Sequence, residues 1–248
     1  YPRSFVRCTF KGCRTIYPER VQNNNNDSGL ITFRRRTSVD ETFLIRNCLF
    51  DDCEAINLIN NSAGRLLRVE NCTITGSWLY SVDSQGGKLG HMFFTMRGGV
   101  IPDQTPTQYY PSTNVIVNCV FRDNHVYRNT AYERNDIHFF ATSTSVPSAA
   151  ANIVTNCVYE TWVPGASTAG QPVLSANFKQ SNSINFAKDD PELAGQYPDY
   201  MPKRNSAAHG LGVWDEWMAG AKDLAGADMP ASGAVDAGCY QCTLRAPG

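Results

Sequence analysis

Asp51, Arg122 and Glu160 fall at matching places of a recurring phrase, with Lys11 and Thr75 at the same place and Asp52 and Asp123 beside the row. Two carboxylates on one face are what general acid–base cleavage of a glycosidic bond needs. Together with Arg122 they could instead hold Ca²⁺ and an acidic sugar. If the chain is an enzyme, Asp51, Arg122, Asp123 and Glu160 are the expected catalytic set. The competing expectation is mixed surface charge that keeps strand edges soluble. Exposed ion pairs of this kind are common and individually weak, and we adopt that second reading.

Other residue types offer binding rather than reaction. Trp78, Tyr80, Tyr109, Tyr110, Tyr127, Tyr132 and Trp162 flank the repeated segments. Such rings stack on sugars and anchor protein partners, so these are the candidate ligand-binding residues, with simple cover of outer strand faces as the alternative. The four histidines are scattered. His138 shares a strand face with Phe140, and His209 stands in Ala208-His209-Gly210 with no evident partner. Arg34-Arg35-Arg36 reads as a solvated basic edge. No metal site is expected.

The elements that must position these residues are written five times. The phrase reads Val6-Arg7-Cys8-Thr9-Phe10, Ile45-Arg46-Asn47-Cys48-Leu49-Phe50, Val69-Glu70-Asn71-Cys72-Thr73-Ile74, Val117-Asn118-Cys119-Val120-Phe121 and Val154-Thr155-Asn156-Cys157-Val158-Tyr159. A short strand recurring at irregular intervals is the mark of a stacked solenoid. Between phrases stand further apolar runs such as Ala55-Ile-Asn-Leu-Ile59 and Gly29-Leu-Ile-Thr-Phe33, so each coil is expected to carry three short strands. Insertions such as 18–28, 79–90 and 97–113 absorb the variation in length.

Period-2 alternation puts Cys119 and Phe121 on one face and breaks at Asn118, which must occupy a bend. Asparagine tolerates left-handed backbone angles and bonds locally, so it suits a corner. Asn47, Asn71, Asn118 and Asn156 are expected to stack as an amide ladder, with Arg7 at that place in the first coil. Cys8, Cys48, Cys72, Cys119 and Cys157 are expected as a column of buried thiols, since free cysteine behaves as a small hydrophobe. A Cys13–Cys53 bridge is within geometric reach of adjacent coils. With nine cysteines, the chain cannot pair them all internally.

Composition sets the outer bounds. The net charge is −1 across 248 residues, which offers no pull toward nucleic acid. No stretch approaches the roughly 18 apolar residues of a membrane span. The chain opens at Tyr1 without a Met and runs at once into the first phrase. It is therefore expected to be a processed mature chain or a segment of something longer. Its richness in Asn, Ser and Thr and its few lysines fit an extracellular or cell-surface bacterial protein.

The repeat resembles the right-handed parallel β-helix superfamily, which includes pectate lyases and polygalacturonases. The C-terminal quarter adds a second likeness. Asp190-Pro-Glu-Leu193, Asn205-Ser-Ala-Ala-His209, Trp217-Met-Ala-Gly-Ala-Lys-Asp-Leu-Ala-Gly226 and Val235-Asp-Ala-Gly-Cys-Tyr240 are similar to the ending of secreted bacterial β-helix surface proteins. It departs from that ending at Ala208-His209, Met229-Pro230, Cys239 and Gln241. The resemblance implies an all-β fold, a right-handed parallel β-helix of about five to six three-stranded coils over 1–186. Residues 187–248 follow as an irregular C-terminal cap, with Tyr197, Tyr200, Trp214, Trp217 and Met218 as apolar cover for an open end. The Asp-Asp and Gly-His-Gly pattern of polygalacturonases and the signatures of pectate lyases are missing.

The expected role is an extracellular, non-catalytic scaffold of the surface, adhesion or filament type. It would self-associate or carry a further β-helix portion on its first coil, where no cap is evident. A polysaccharide lyase or hydrolase acting on an acidic glycan, and a carbohydrate-binding module without turnover, are the alternatives. No cofactor is expected apart from Ca²⁺ in the enzymatic case, and a polysaccharide is the expected ligand in the two carbohydrate readings.

Overall fold

A computed structural model of the chain describes residues 3–15, 29–33, 42–61, 66–79, 91–95, 112–128, 131–137, 139–141, 150–162, 172–174 and 177–244. The described residues are essentially all-β, in mostly parallel sheets with two antiparallel pairings (His125–Arg128 with Ala131–Arg134, and Gly212–Val213 with Ala234–Val235), and among them are two one-turn 3₁₀ helices at Ala187–Asp189 and Glu216–Met218. Four sheets are visited in turn. The second pass shows the pattern: Thr42–Arg46 in the first sheet, Leu49–Asp51 in the second, Glu54–Ala55 in the third and Asn57–Asn61 in the fourth. The chain then returns to the first sheet at Leu66–Glu70, beside and parallel to the strand it left.

This corrects one expectation. A pass carries four short strands, not three, because the run expected as the single strand Ala55–Ile59 is divided at Ile56. Asp52 (φ 51), Gly76 (φ 61) and Asp123 (φ 60) turn the chain out of the second sheet. Only Ile56 then separates the two following strands of the second pass.

Register explains the phrase. Phe10, Phe50, Ile74, Phe121 and Tyr159 pair in sequence along the second sheet and point inward. Phe10 stacks on Phe50 with centroids 4.8 Å apart, the natural spacing of hydrogen-bonded strands. Inward residues of the first sheet, among them Ile45, Leu67, Val69, Ile116 and Val154, close the same core. The cysteines following the first corner join it. All nine thiols are free, so Cys13 and Cys53 are not bridged. Each inner thiol lies near carbonyls of its own pass and of the pass before, as Cys119 does with Val117 at 3.2 Å and Val69 at 3.6 Å. Burial pushes the Cys72 and Cys119 thiols well above their ordinary pKa, which keeps them neutral and unreactive.

The C-terminal segment lies differently from an end lid. Its described contacts run along a flank. Ile184, Phe186, Tyr200, Ala208, Ala237 and Cys239 pack with Leu49, Val120 and Val158, which are outward residues of the second sheet. Those three apolar side chains need cover, and sealing each one contributes about 1.5–3 kcal/mol. The closest approach is at Gly238 (φ +99), where a Cβ would come within 2.6 Å of Thr73 Oγ1. Only glycine fits there. Next to it, Cys239 N donates to Thr73 Oγ1 at 3.1 Å.

Candidate functional site

The row of Lys11, Asp51, Thr75 and Arg122 is in register across four strands of the second sheet and faces outward. It is not open to a polymer. Asp51 is only 6% exposed, held by Lys11 Nζ at 3.1 Å and by the Tyr200 hydroxyl, which donates to its Oδ1. Lys188 Nζ in turn donates to the Tyr200 oxygen at 3.0 Å. Burial, with Asp51 adding to it, pushes the Tyr200 phenol far above its ordinary pKa, so it remains a donor. Arg122 is bound by Asp189, lies 3.4 Å from Glu160, and sits over the Phe186 ring. Glu160 is also bound by Arg134. Asp123 is exposed and 3.7 Å from Arg134.

These contacts decide what the row can do. A general acid or base needs room for substrate within hydrogen-bond reach. Here the C-terminal segment occupies that space above Asp51 and Arg122. The structure thus brings Arg122 and Glu160 together, leaves Asp51 sealed and sets Asp123 apart in solvent. Among the described residues no group of three or more His, Cys, Asp or Glu is arranged to hold a metal ion. No described helix is long and apolar enough to cross a membrane.

The candidate aromatics are dispersed. Trp78 stacks on His125 at 4.2 Å and is about one-third exposed. Trp162 packs edge-on against Tyr159 and Phe178, as ordinary cover of the last passes. Tyr127 and Tyr132 are paired across an antiparallel hairpin. Tyr80, Tyr109 and Tyr110, like His138 and Arg34-Arg35-Arg36, lie outside the described residues.

The first corner is where the C-terminal segment is bonded most specifically. Asn47, Asn71, Asn118 and Asn156 all have φ between 49 and 54, and Arg7 takes φ 55. Asn118 Nδ2 reaches Asn71 Oδ1 at 3.2 Å, the one direct ladder bond among the four. The other bonds go outward, to carbonyls of Lys222 from Asn47 and of Asp236 from Asn71. Asn118 both donates to Val213 O at 2.8 Å and accepts from Val213 N at 2.9 Å.

Three polar groupings escaped sequence reasoning. Asn61 donates to Asn114 at 3.0 Å and Asn114 to Asn152 at 2.8 Å, a second amide row inside the core. Its signal was present: Asn114 and Asn152 stand two residues before inward Ile116 and Val154. Buried Asp136 accepts backbone N–H bonds from Asn124, Glu160 and Thr161 at 2.9, 2.8 and 2.6 Å, and burial pushes its pKa up to about 6. His209, expected to lack a partner, has Asp236 Oδ1 2.7 Å from its Nδ1. Asp236 also accepts from the backbone of Gly210 and Cys242, so the pair ties the C-terminal segment together. Nothing periodic marks either acid. No family model, curated protein or solved structure matches this chain.

Proposed function

We propose that the chain is a right-handed parallel β-helix serving as an extracellular, non-catalytic scaffold of the surface or adhesion type. The cyclic visiting of four parallel sheets, with in-register Cys and Phe columns, supports the solenoid reading. One observation carries the non-catalytic part. The acids and the arginine of the outward row are consumed by the fold itself, Asp51 by Tyr200 and Lys11, and Arg122 by Asp189 and Glu160. A site for an acidic glycan would need those charges free.

Association is supported by the edge strands Ser4–Val6 and Thr9–Lys11, each paired on one side among the described residues. Phe5, Cys8, Phe10 and Cys13 are partly buried there, whereas Cys48, Phe50 and Cys53 on the next pass are fully sealed. An edge of this kind offers strand pairing to another β-stack, either a second copy or further coils of the same type.

Incubation with a panel of uronic-acid polymers tests the reading. We expect neither unsaturated product absorbance nor new reducing ends; either signal, lost in Arg122→Ala, overturns it in favour of a lyase or hydrolase. Light scattering across a concentration series is expected to show reversible association of the 248-residue chain.

A further inference from the structure

The two ends of the strand stack are built differently. From the second pass on, each thiol of the stack reaches a carbonyl of the pass before, as Cys48 does with Phe5 O at 3.5 Å, Cys53 with Phe10 O at 3.3 Å and Cys157 with Ile116 O at 3.7 Å. Cys8 and Cys13 reach only carbonyls of their own pass, Val6 O and Lys11 O. The backbone repeats the pattern. Leu49 N and Glu54 N donate back to Cys8 O and Cys13 O, and Thr73 N and Trp78 N to Cys48 O and Cys53 O. Their counterparts on the first pass, Thr9 N and Arg14 N, have no acceptor among the described residues. Phe5, Cys8, Phe10 and Cys13 form an apolar column at this head of the stack, with no inward charge to blunt the edge.

The opposite edge is defended. Phe43, Leu67, Asn114, Asn152 and Pro172 are register mates along the first sheet. Leu44 N donates back to Arg3 O, so by alternation the N–H one residue earlier faces the following pass. Proline removes that donor from the last strand, Pro172–Leu174, which is how an edge strand tolerates it. Beside it Lys179 and Gln180 are exposed, and Phe178 and Trp162 pack on Tyr159. Head-to-tail stacking of copies is thus blocked at the tail. Two heads can meet, but only antiparallel and with like charges opposed, since residues 3–15 carry Arg3, Arg7, Lys11 and Arg14 and no acid. That contact is the reversible association expected of the chain alone.

We propose that the head docks one parallel, in-register pass of a separate polypeptide, apolar on its inward side and acidic on its outward side. Such a pass sets carbonyls before Cys8 and Cys13 and acceptors before Thr9 N and Arg14 N, as each later pass finds in its predecessor. The charge requirement is visible on the other side of the same cations. Asp51 holds Lys11, while Asp52 and Glu54 hold Arg14. Arg7 has no carboxylate partner among the described residues, and it stands exposed at the corner that asparagine takes on later passes. An acidic rim on the incoming pass answers all three, and it is what a second head lacks. The inference names the partner in the association reading above and rests on its solenoid geometry, not on the absence of catalysis.

The probe is a synthetic peptide with the sequence of residues 42–61, one whole pass carrying Asp51, Asp52 and Glu54. Its Cys48→Ser and Cys53→Ser changes leave only the thiols of the full chain to be read. Calorimetry is expected to show binding to the 248-residue chain. Alkylation of Cys8 and Cys13 is expected to slow about tenfold, with half-buried Cys242 unchanged as the internal standard. Direction is read from the peptide backbone, which leaves the protein untouched. In a parallel pass the Ile45 N–H faces the head and the Leu44 N–H faces away. N-methylation at Ile45 is therefore expected to abolish binding, and N-methylation at Leu44 to spare it. Asp51→Lys, Asp52→Lys and Glu54→Lys together in the peptide are expected to weaken binding about tenfold. The proposal is overturned if the peptide does not bind, if Cys8 and Cys13 react as fast in its presence, if methylation at Leu44 harms as much as at Ile45, or if the lysine peptide binds as tightly. Those outcomes leave the scaffold reading standing, which only polymer turnover would remove.

Discussion

Two corners of this molecule solve the same backbone problem with different chemistry. Both turn the chain through a left-handed residue. At the first corner stand Asn47, Asn71, Asn118 and Asn156, all buried; at the second stand Gly12, Asp52, Gly76 and Asp123, with the two aspartates well exposed. A left-handed backbone favours Gly, Asn or Asp, with the exposed Arg7 of the first pass as the exception. What lies outside the corner chooses among them. The C-terminal segment covers the first, so its side chains must be neutral and able to donate as well as accept, which leaves asparagine. Water covers the second, and there glycine or a charge serves equally. The residue type at a corner thus reports its neighbour, not its turn.

The comparison predicts unequal losses. Asn118→Ala gives up two bonds to Val213 and one to Asn71, and it strains the backbone. We expect about 3–4 kcal/mol by urea denaturation, against about 1 kcal/mol for Asp123→Ala. Equal losses would break the argument.

A second contrast lies just inside the second corner, where Asp136 is a buried acid bonded to the neighbouring Asn124. Burial pushes its pKa up to about 6, against the partial relief of backbone N–H bonds and nearby Arg134. A carboxyl raised on folding favours the native state at low pH. That contribution is complete below about pH 4 and is lost as pH rises through 6, a change of about 3 kcal/mol. Asp136→Asn should flatten this slope in unfolding free energy measured from pH 4 to 7, whatever it does to absolute stability. An unchanged slope would assign the pH dependence elsewhere.

Smaller effects sharpen the picture. Tyr200→Phe leaves buried Asp51 with Lys11 but without its hydroxyl donor, for an expected loss of about 1–2 kcal/mol. A loss near zero would mean that the segment's grip on the outward row is incidental. Asp123→Gly keeps the turn and forfeits only an exposed 3.7 Å ion pair, so the melting curve should scarcely move, within about 0.5 kcal/mol.

Legibility followed the same division. The inward Cys and Phe columns and the corner asparagines were readable because register repeats them every pass. Four strands in place of three were not, since the added division falls at Ile56, an apolar residue inside an apolar run. Of the expected row Lys11, Asp51, Thr75, Arg122 and Glu160, the first four stand in register across the second sheet, but the row's meaning depended on Tyr200 and Asp189, which belong to no repeat. Trp214 and Trp217 read as apolar cover, and they do pack partly against Met218 and Met229.

By itself, then, the amino-acid order determined the stack: alternation selects what points inward, and a left-handed bend admits few residue types. Only the tertiary structure decided where the last sixty or so residues lie, along the flank and across the first corner. Contacts such as Tyr200 with Asp51 join positions 149 residues apart, and they are chosen by shape and charge after the coils exist. A period of strands carries no record of such a choice, and so the covering of the charged row had to be seen in three dimensions.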